Sequence, residues 1–287
     1  MSGVPDPGDV GADSVFESTV RGEVCRLSRP GTRWLSTGYA GGESVADAAY
    51  LLSVPEGWAD VDVSGYVRRR LREVGFGGDR SDDDRSGDDR AGGNRGEGRS
   101  DDDGDAAPAL LTGVSMRHAR RARLGPVEAV VTAGVSNPAA LPMAADGRSD
   151  RNTGGQRGDR SDGDGDRRHA GTVNVVVGTT RSLAPGALAN LVAVAAEAKA
   201  ATLLDRTGFP GTTSDAVLVG CDPGGEPAAF SGSATEVGSA ARACVRDALL
   251  AALESRYVDE APPGSVTEAE YGVVTDERAD VEAVVDG

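Results

Sequence analysis

The chain has 287 residues, 46 acidic against 30 basic side chains, a net charge of −16, a pI near 4.6 and only 4% aromatic residues. Charge of that sign provides no basic footprint, so nucleic acid and anionic membrane are poor partners. An acid-rich chain in which every cation but one is arginine reads as suited to concentrated salt, where a short screening length relieves self-repulsion.

Residues 1–11 lack basic residues and an apolar core segment, so no secretory leader is expected. No apolar run is expected to reach membrane-spanning length. Cys25, Cys221 and Cys244 show neither metal-ligand spacing nor an even disulfide framework, which implies a reducing, cytoplasmic setting. Cys221 and Cys244 read as small core residues.

In chain order, residues 33–37 read as a strand, and 44–52 and 64–74 as helices. Residues 77–107 form a first insert of Asp, Arg, Gly and Ser whose mixed charge and missing apolar side chains predict a solvated loop. Strands follow at 109–114 and 127–133, then a second insert of the same vocabulary at 146–170. A strand at 172–178 leads into a helix at 186–206. Another strand at 215–221 ends in the turn Asp222-Pro223-Gly224-Gly225, with a short strand at 228–231 beyond it. The last helix, 235–257, carries Val237, Ala240, Ala241, Cys244, Val245, Ala248, Leu249 and Ala252 at helical spacing, with Ser233 and Glu236 placed like a capping box. Residues 258–287 read as an acidic solvated tail, in which Val273, Val274, Val281 and Val284 are the apolar exceptions. The order predicts one folded domain within 1–257, of α/β or α+β class: a single layered domain with a mixed sheet whose one face carries the two long helices.

Chemistry is expected on the 186–204 helix, which is apolar or small almost all round and therefore reads as buried. Its polar exceptions are Asn190, Glu197, Lys199 and Thr202. Lys199 is the sole lysine of the chain, and an ammonium on a compact stem does what the fixed arginine fork cannot. Glu197 and Asn190 share a face, whereas Glu197 and Lys199 point roughly 200° apart, so each must meet a different partner. Gly171-Thr172-Val173-Asn174, Gly178-Thr179-Thr180 and Gly211-Thr212-Thr213-Ser214-Asp215 flank one strand–helix–strand unit with loops rich in exposed N–H and hydroxyl donors. Asn137 adds an amide just past a strand end. Arg117, Arg120, Arg121 and Arg123 could meet an anionic substrate group but in an acid-rich chain read rather as ion-pair anchors, and His118 among them reads as a surface residue rather than a base. No metal-ligand cluster, nucleophile elbow, dinucleotide or Walker fingerprint is present in the sequence.

Thr132-Ala133-Gly134-Val135-Ser136-Asn137-Pro138, Gly171-Thr172-Val173-Asn174, residues 183–188, Glu197-Ala198-Lys199 and Gly211-Thr212-Thr213-Ser214-Asp215-Ala216, in this order, resemble the adenosylcobinamide amidohydrolase family of archaeal cobalamin salvage. The resemblance runs from Arg33 to about Tyr257, excluding the inserts. Ala196 stands where the family tends to have Thr, and Ala40 where it tends to have Asn. The resemblance implies hydrolysis of the amide joining the aminopropanol arm to the corrin ring, yielding adenosylcobyric acid. A corrinoid is then the small-molecule partner, and no cofactor is called for because cobalt arrives within the substrate. Catalysis is expected from Glu197, Lys199, Asp215, Thr212 and Thr213, and substrate binding from Asn137, Asn174, Asn190, Gly211 and Ser214. Two mechanisms stay open: water activated by Glu197 or Asp215 with Lys199 and loop donors on the oxyanion, or covalent attack by Thr212, Thr213 or Ser214. A corrinoid-binding protein without turnover and an unrelated small-molecule amidase are the rival functional classes.

Overall fold

The computed structural model describes residues 14–55, 62–77, 107–143, 171–269 and 271–284. Both charged inserts fall almost wholly outside the described residues. Among the described residues thirteen strands and three α-helices run in the order β1 (Glu17–Arg21), β2 (Val24–Ser36), β3 (Gly42–Ser53), α1 (Val63–Glu73), β4 (Ala109–Thr112), β5 (Arg120–Leu124), β6 (Val127–Ala133), β7 (Pro138–Ala140), β8 (Val173–Thr179), β9 (Ser182–Leu183), α2 (Pro185–Thr207), β10 (Gly211–Thr212), β11 (Ala216–Cys221), β12 (Pro227–Ala228), α3 (Glu236–Arg256) and β13 (Val273–Val274).

The main sheet has the order β4-β3-β2-β11-β8-β6-β5, with β1 hairpinned onto β2. Pairing is mixed: β8 with β11 and β3 with β4 are parallel, the rest antiparallel. The central strands β6 and β8 are buried at every position, so they read as continuous apolar runs without alternation. Their odd-numbered valines and those of β11 pack under α2 and α3, which share one face as the helix periodicity predicts.

The other face is covered by the sheet itself. β2 is 13 residues long with an irregularity between Ser28 and Thr32, and it carries β3 and β4 back over the centre. Leu110 of β4 thereby joins Val130, Val176 and Leu218 in one core, and the Asn174 amide nitrogen of central β8 donates to Leu111 O of edge strand β4 at 2.8 Å. Phe16 stacks on Trp34 with ring centroids 5.3 Å apart. The slot for this pair exists because the register partners Gly178 and Gly220 have no side chain: a Cβ on them would stand 2.1 Å from Phe16 and 2.7 Å from Trp34. Glu128, wholly buried on this face, accepts from Ser14 Oγ and Val15 N and lies 3.8 Å from Arg121 Nη1.

Several expectations are corrected. Residues 44–52 are not a helix but the body of β3, because β2 and β4 supply hydrogen-bonding ladders on both its sides that outweigh alanine's helical preference. The cap of α3 is Thr235, whose Oγ1 accepts from Gly238 N at 3.0 Å, rather than Ser233. The tail is not all solvated chain: Val273 and Val274 form β13, parallel to β7. His118 is buried rather than superficial. Arg117 Nε donates to its Nε2 at 2.8 Å and its Nδ1 lies 3.0 Å from Ser255 Oγ; burial, with Arg117, Arg256 and Arg120 around it, pushes its pKa down. By length and composition α2 could cross a membrane, with 23 residues and a window of mean hydropathy 1.5, against the expectation of no such run; half of that window is buried within the fold.

Candidate active site

The parallel pair β8–β11 is joined through α2, and the end of the sheet where β8 and β11 begin is where the loops at 171–174 and 211–215 meet; Gly178-Thr179-Thr180 leaves β8 at the opposite end and is not brought in. Asp215, at the entry to β11, is their centre. Its Oδ1 accepts from Val173 N at 2.9 Å and from the Thr212 hydroxyl; its Oδ2 accepts from Thr212 N at 3.0 Å and from Lys199 Nζ. Four donors therefore occupy both carboxylate oxygens. The Lys199 and Asp215 side chains are each only 11% exposed, so the ammonium is desolvated but compensated at contact distance. Gly211 makes room for the pair, since a Cβ there would stand 2.8 Å from Asp215 Oδ2 and 3.2 Å from Lys199 Nζ.

A second layer of polar groups holds the loop. Asn137 donates from Nδ2 to Thr213 Oγ1 at 2.5 Å and accepts from Thr213 N on its carbonyl at 3.2 Å, while its own Oδ1 is buried without a partner. Thr172 Oγ1 and Ser214 Oγ share a hydrogen bond of 2.7 Å. Gly134 and Gly171 lie backbone to backbone: a Cβ on Gly171 would come within 2.5 Å of Gly134 C and O. β7 pairs with β10 so that Thr212 faces Pro138 and Gly211 faces Ala139. Thr212 is buried, whereas Thr213 and Ser214 are exposed beside it.

The structure thus gathers Lys199, Asp215, Thr212, Thr213, Ser214, Gly211 and Asn137. Asn174 lies next in chain to Val173 but points its amide to the opposite sheet face, where it binds β4, and its Oδ1 is unpartnered, as is Oγ1 of its register neighbour Thr132. Glu197 and Asn190 are not brought in. Both are exposed, on the side of α2 turned away from Lys199. Glu197 pairs with Arg242 of α3 at 3.2 Å, and Asn190 donates to Ser231 Oγ at 3.2 Å. The burial expected for Glu197 is corrected: an all-round apolar helix built largely of alanine is small enough to lie half in solvent, and Glu197 takes the wet side. The angular separation from Lys199 expected from helical geometry holds.

Sequence reasoning missed three supports of the site. Tyr257 at the end of α3 accepts at its hydroxyl from Val135 N at 2.8 Å, Val173 contributes only its backbone N–H, and β7 is a strand too short to announce itself. Among the described residues no three His, Cys, Asp or Glu side chains converge as metal ligands would.

Residues 98–261 match the family model described as adenosylcobinamide amidohydrolase. A curated adenosylcobinamide amidohydrolase from Halobacterium salinarum is 50% identical over 267 residues, which is 93% of this chain and 99% of that relative. The matched span contains every residue of the Asp215 cluster, and identity of this extent leaves one conclusion: the chain belongs to the adenosylcobinamide amidohydrolase family.

Proposed function

We propose that the protein hydrolyses the aminopropanol amide of adenosylcobinamide to adenosylcobyric acid through a covalent ester on Thr212, with Asp215 as its base and Lys199 as the fixed positive charge of the site. Family membership supports the reaction. The observation that supports the nucleophile is the saturation of Asp215: its two oxygens already accept four hydrogen bonds, and one of these donors is the Thr212 hydroxyl. A water could hydrogen-bond to this carboxylate only by displacing one of these donors, and of the four the Thr212 hydroxyl is the one that can serve as a nucleophile. Thr212 is accordingly the group whose proton Asp215 is placed to take.

The steps balance as acyl transfer. Thr212 Oγ1 adds to the amide carbonyl carbon as its proton passes to Asp215 Oδ1. The Lys199 ammonium, held beside Asp215 by their ion pair, offsets negative charge developing on the carbonyl oxygen. Collapse breaks the C–N bond, and the aminopropanol nitrogen leaves with the proton from Asp215. Water, deprotonated by the same carboxylate, then cleaves the ester, releasing the corrin carboxylic acid and restoring the Thr212 hydroxyl. Asn137, through Thr213, holds the loop in register for these transfers. The corrinoid brings its own cobalt as part of the substrate, so the steps written here draw on side chains alone.

Three thiols, all buried and none in a disulfide, support a reducing compartment and so the cytoplasm as the place of action. The acidic composition supports work in concentrated salt.

The test is release of aminopropanol, followed by mass spectrometry. Thr212→Ala should lower turnover by ~10²-fold or more, the scale of losing a nucleophile or oxyanion donor. Thr212→Ser should retain much of it, and acid-quenched wild-type enzyme should carry a corrinoyl mass adduct. Turnover by Thr212→Ala within a few-fold of wild type would return the attack to water.

A further inference from the structure

The tail beyond residue 261, outside the span of the family match, is built into the site's own small sheet. In that sheet, ordered β10-β7-β13, Ala139 of β7 pairs with Gly211 on one edge and with Val273 on the other. Thr275 N donates to Ala140 O at 3.0 Å, and Arg278 Nη2 donates to Pro142 O at 3.3 Å. Gly272 permits the close approach, for a Cβ there would stand 2.5 Å from Val266 and 3.3 Å from Pro138 O. With neighbouring strands about 4.8 Å apart, β13 runs about 10 Å from the strand that carries Thr212.

This edge gathers exposed apolar side chains that elsewhere on the described surface are scattered among charged ones. Tyr271, Val273 and Val274 of the tail are 39%, 47% and 45% exposed, and Leu141 and Met143, just past β7, are 51% and 79% exposed. Five large apolar side chains at one edge of a protein of net charge −16 are a concentration that solvation does not explain. Directly after them come Asp276 and Glu277, then Asp280 and Glu282, all on exposed chain, four carboxylates against the one cation Arg278, whose guanidinium is turned to Pro142 O. Apolar contact bordered by carboxylates fits a ligand that is broad, methyl-studded and cationic. A corrin macrocycle whose cobalt charge is not balanced by a nucleotide phosphate has those properties.

Resting on the reading that the Asp215 cluster is the site, we propose that β13 and the chain after β7 form the shelf on which the corrin ring of the substrate lies, with Val273, on one face of β13, and Tyr271, Leu141 and Met143 against its apolar face. The scissile amide hangs from the ring's periphery on a short arm, so a ring seated one small sheet's width from Thr212 presents that amide to the nucleophile. An open shelf suits a disc too large for a closed cavity, and the tail is then a substrate-binding element although it lies outside the family match.

The test is the full-length Val273→Ser protein, which keeps the β13 backbone and removes apolar contact, beside Val274→Ser on the opposite face of the strand. Steady-state hydrolysis of adenosylcobinamide should show KM raised about tenfold for Val273→Ser with kcat nearly unchanged, and neither changed for Val274→Ser. Equilibrium dialysis of adenosylcobinamide against Val273→Ser in a Thr212→Ala background should show the same loss of affinity. Unchanged affinity in that background overturns the shelf, and so does a fall in kcat at constant KM, which would make β13 only a prop for the catalytic loop. A dimer of the wild-type chain that the substitutions dissociate, with affinity for the corrinoid unaltered, would assign the edge to a second copy and also overturn it. Turnover surviving in Thr212→Ala alone would displace the nucleophile assignment while leaving the dialysis result to decide the shelf.

Discussion

Replacing Lys199 by methionine isolates what the buried ion pair does. The methionine stem fills much the same volume, so packing among Leu203, Ala195 and their neighbours in α2 is kept while the positive charge is lost. Asp215 then remains 11% exposed with Val173 N, Thr212 N and the Thr212 hydroxyl but without its counter-charge. Breaking one side of a buried pair costs about 3–5 kcal/mol. Three surviving hydrogen bonds place this case at the low end, about 3 kcal/mol, which for a domain of this size is a fall in Tm of about 6–12 °C. The assay is thermal unfolding by circular dichroism at a fixed, high KCl concentration, run beside turnover. Lys199→Met/Asp215→Asn should recover at least half of the loss, since no buried charge is then stranded. Lys199→Arg should not rescue turnover, because the longer, planar guanidinium fork cannot take the position of a compact ammonium held on Asp215 with both side chains only 11% exposed. A Tm for Lys199→Met within about 2 °C of wild type, corresponding to under 1 kcal/mol, would refute the view that the pair is desolvated and compensated.

Glu197→Gln should leave both turnover and Tm close to wild type, because its pair with Arg242 is exposed and such pairs contribute about 0–1 kcal/mol; a tenfold or greater loss of kcat in the aminopropanol assay would bring Glu197 back into the chemistry. Glu128→Gln tests the buried acid under the Phe16 segment. Burial pushes the Glu128 carboxyl above its ordinary pKa against the opposing pull of Arg121 and Ser14, so its protonated form suits the fold better than its charged form. Stability from this group is therefore present below the unfolded pKa and lost as pH rises through the raised folded value. Since glutamine mimics the protonated acid at every pH, the Tm of Glu128→Gln relative to wild type should climb from roughly pH 4 toward pH 7. A difference that is flat, or that falls, across this range would contradict it.

Local composition was enough to place the central strands, the two long helices and the loops that meet around Asp215. β6 and β8 read as runs of valine because both their faces are buried, and α3 read as a helix because its apolar side chains recur at three and four. Lys199 was legible as the lysine that survives in an arginine-only chain, and helical geometry already separated it from Glu197. Its partner was not legible, because Asp215 stands sixteen positions after Lys199 and only the β8–α2–β11 crossover brings them into contact. The side of α2 that faces solvent was equally out of reach, since a helix built of alanine carries too little amphipathic contrast to show which face is wet. Residues 44–52 misled for the same reason: alanine favours a helix locally, while β3 exists only because β2 and β4 lie alongside it. The tail strand is the extreme case. Val273 and Val274 are two apolar residues among acids, and they become a strand only because β7, more than a hundred residues earlier, presents a free edge for them to join.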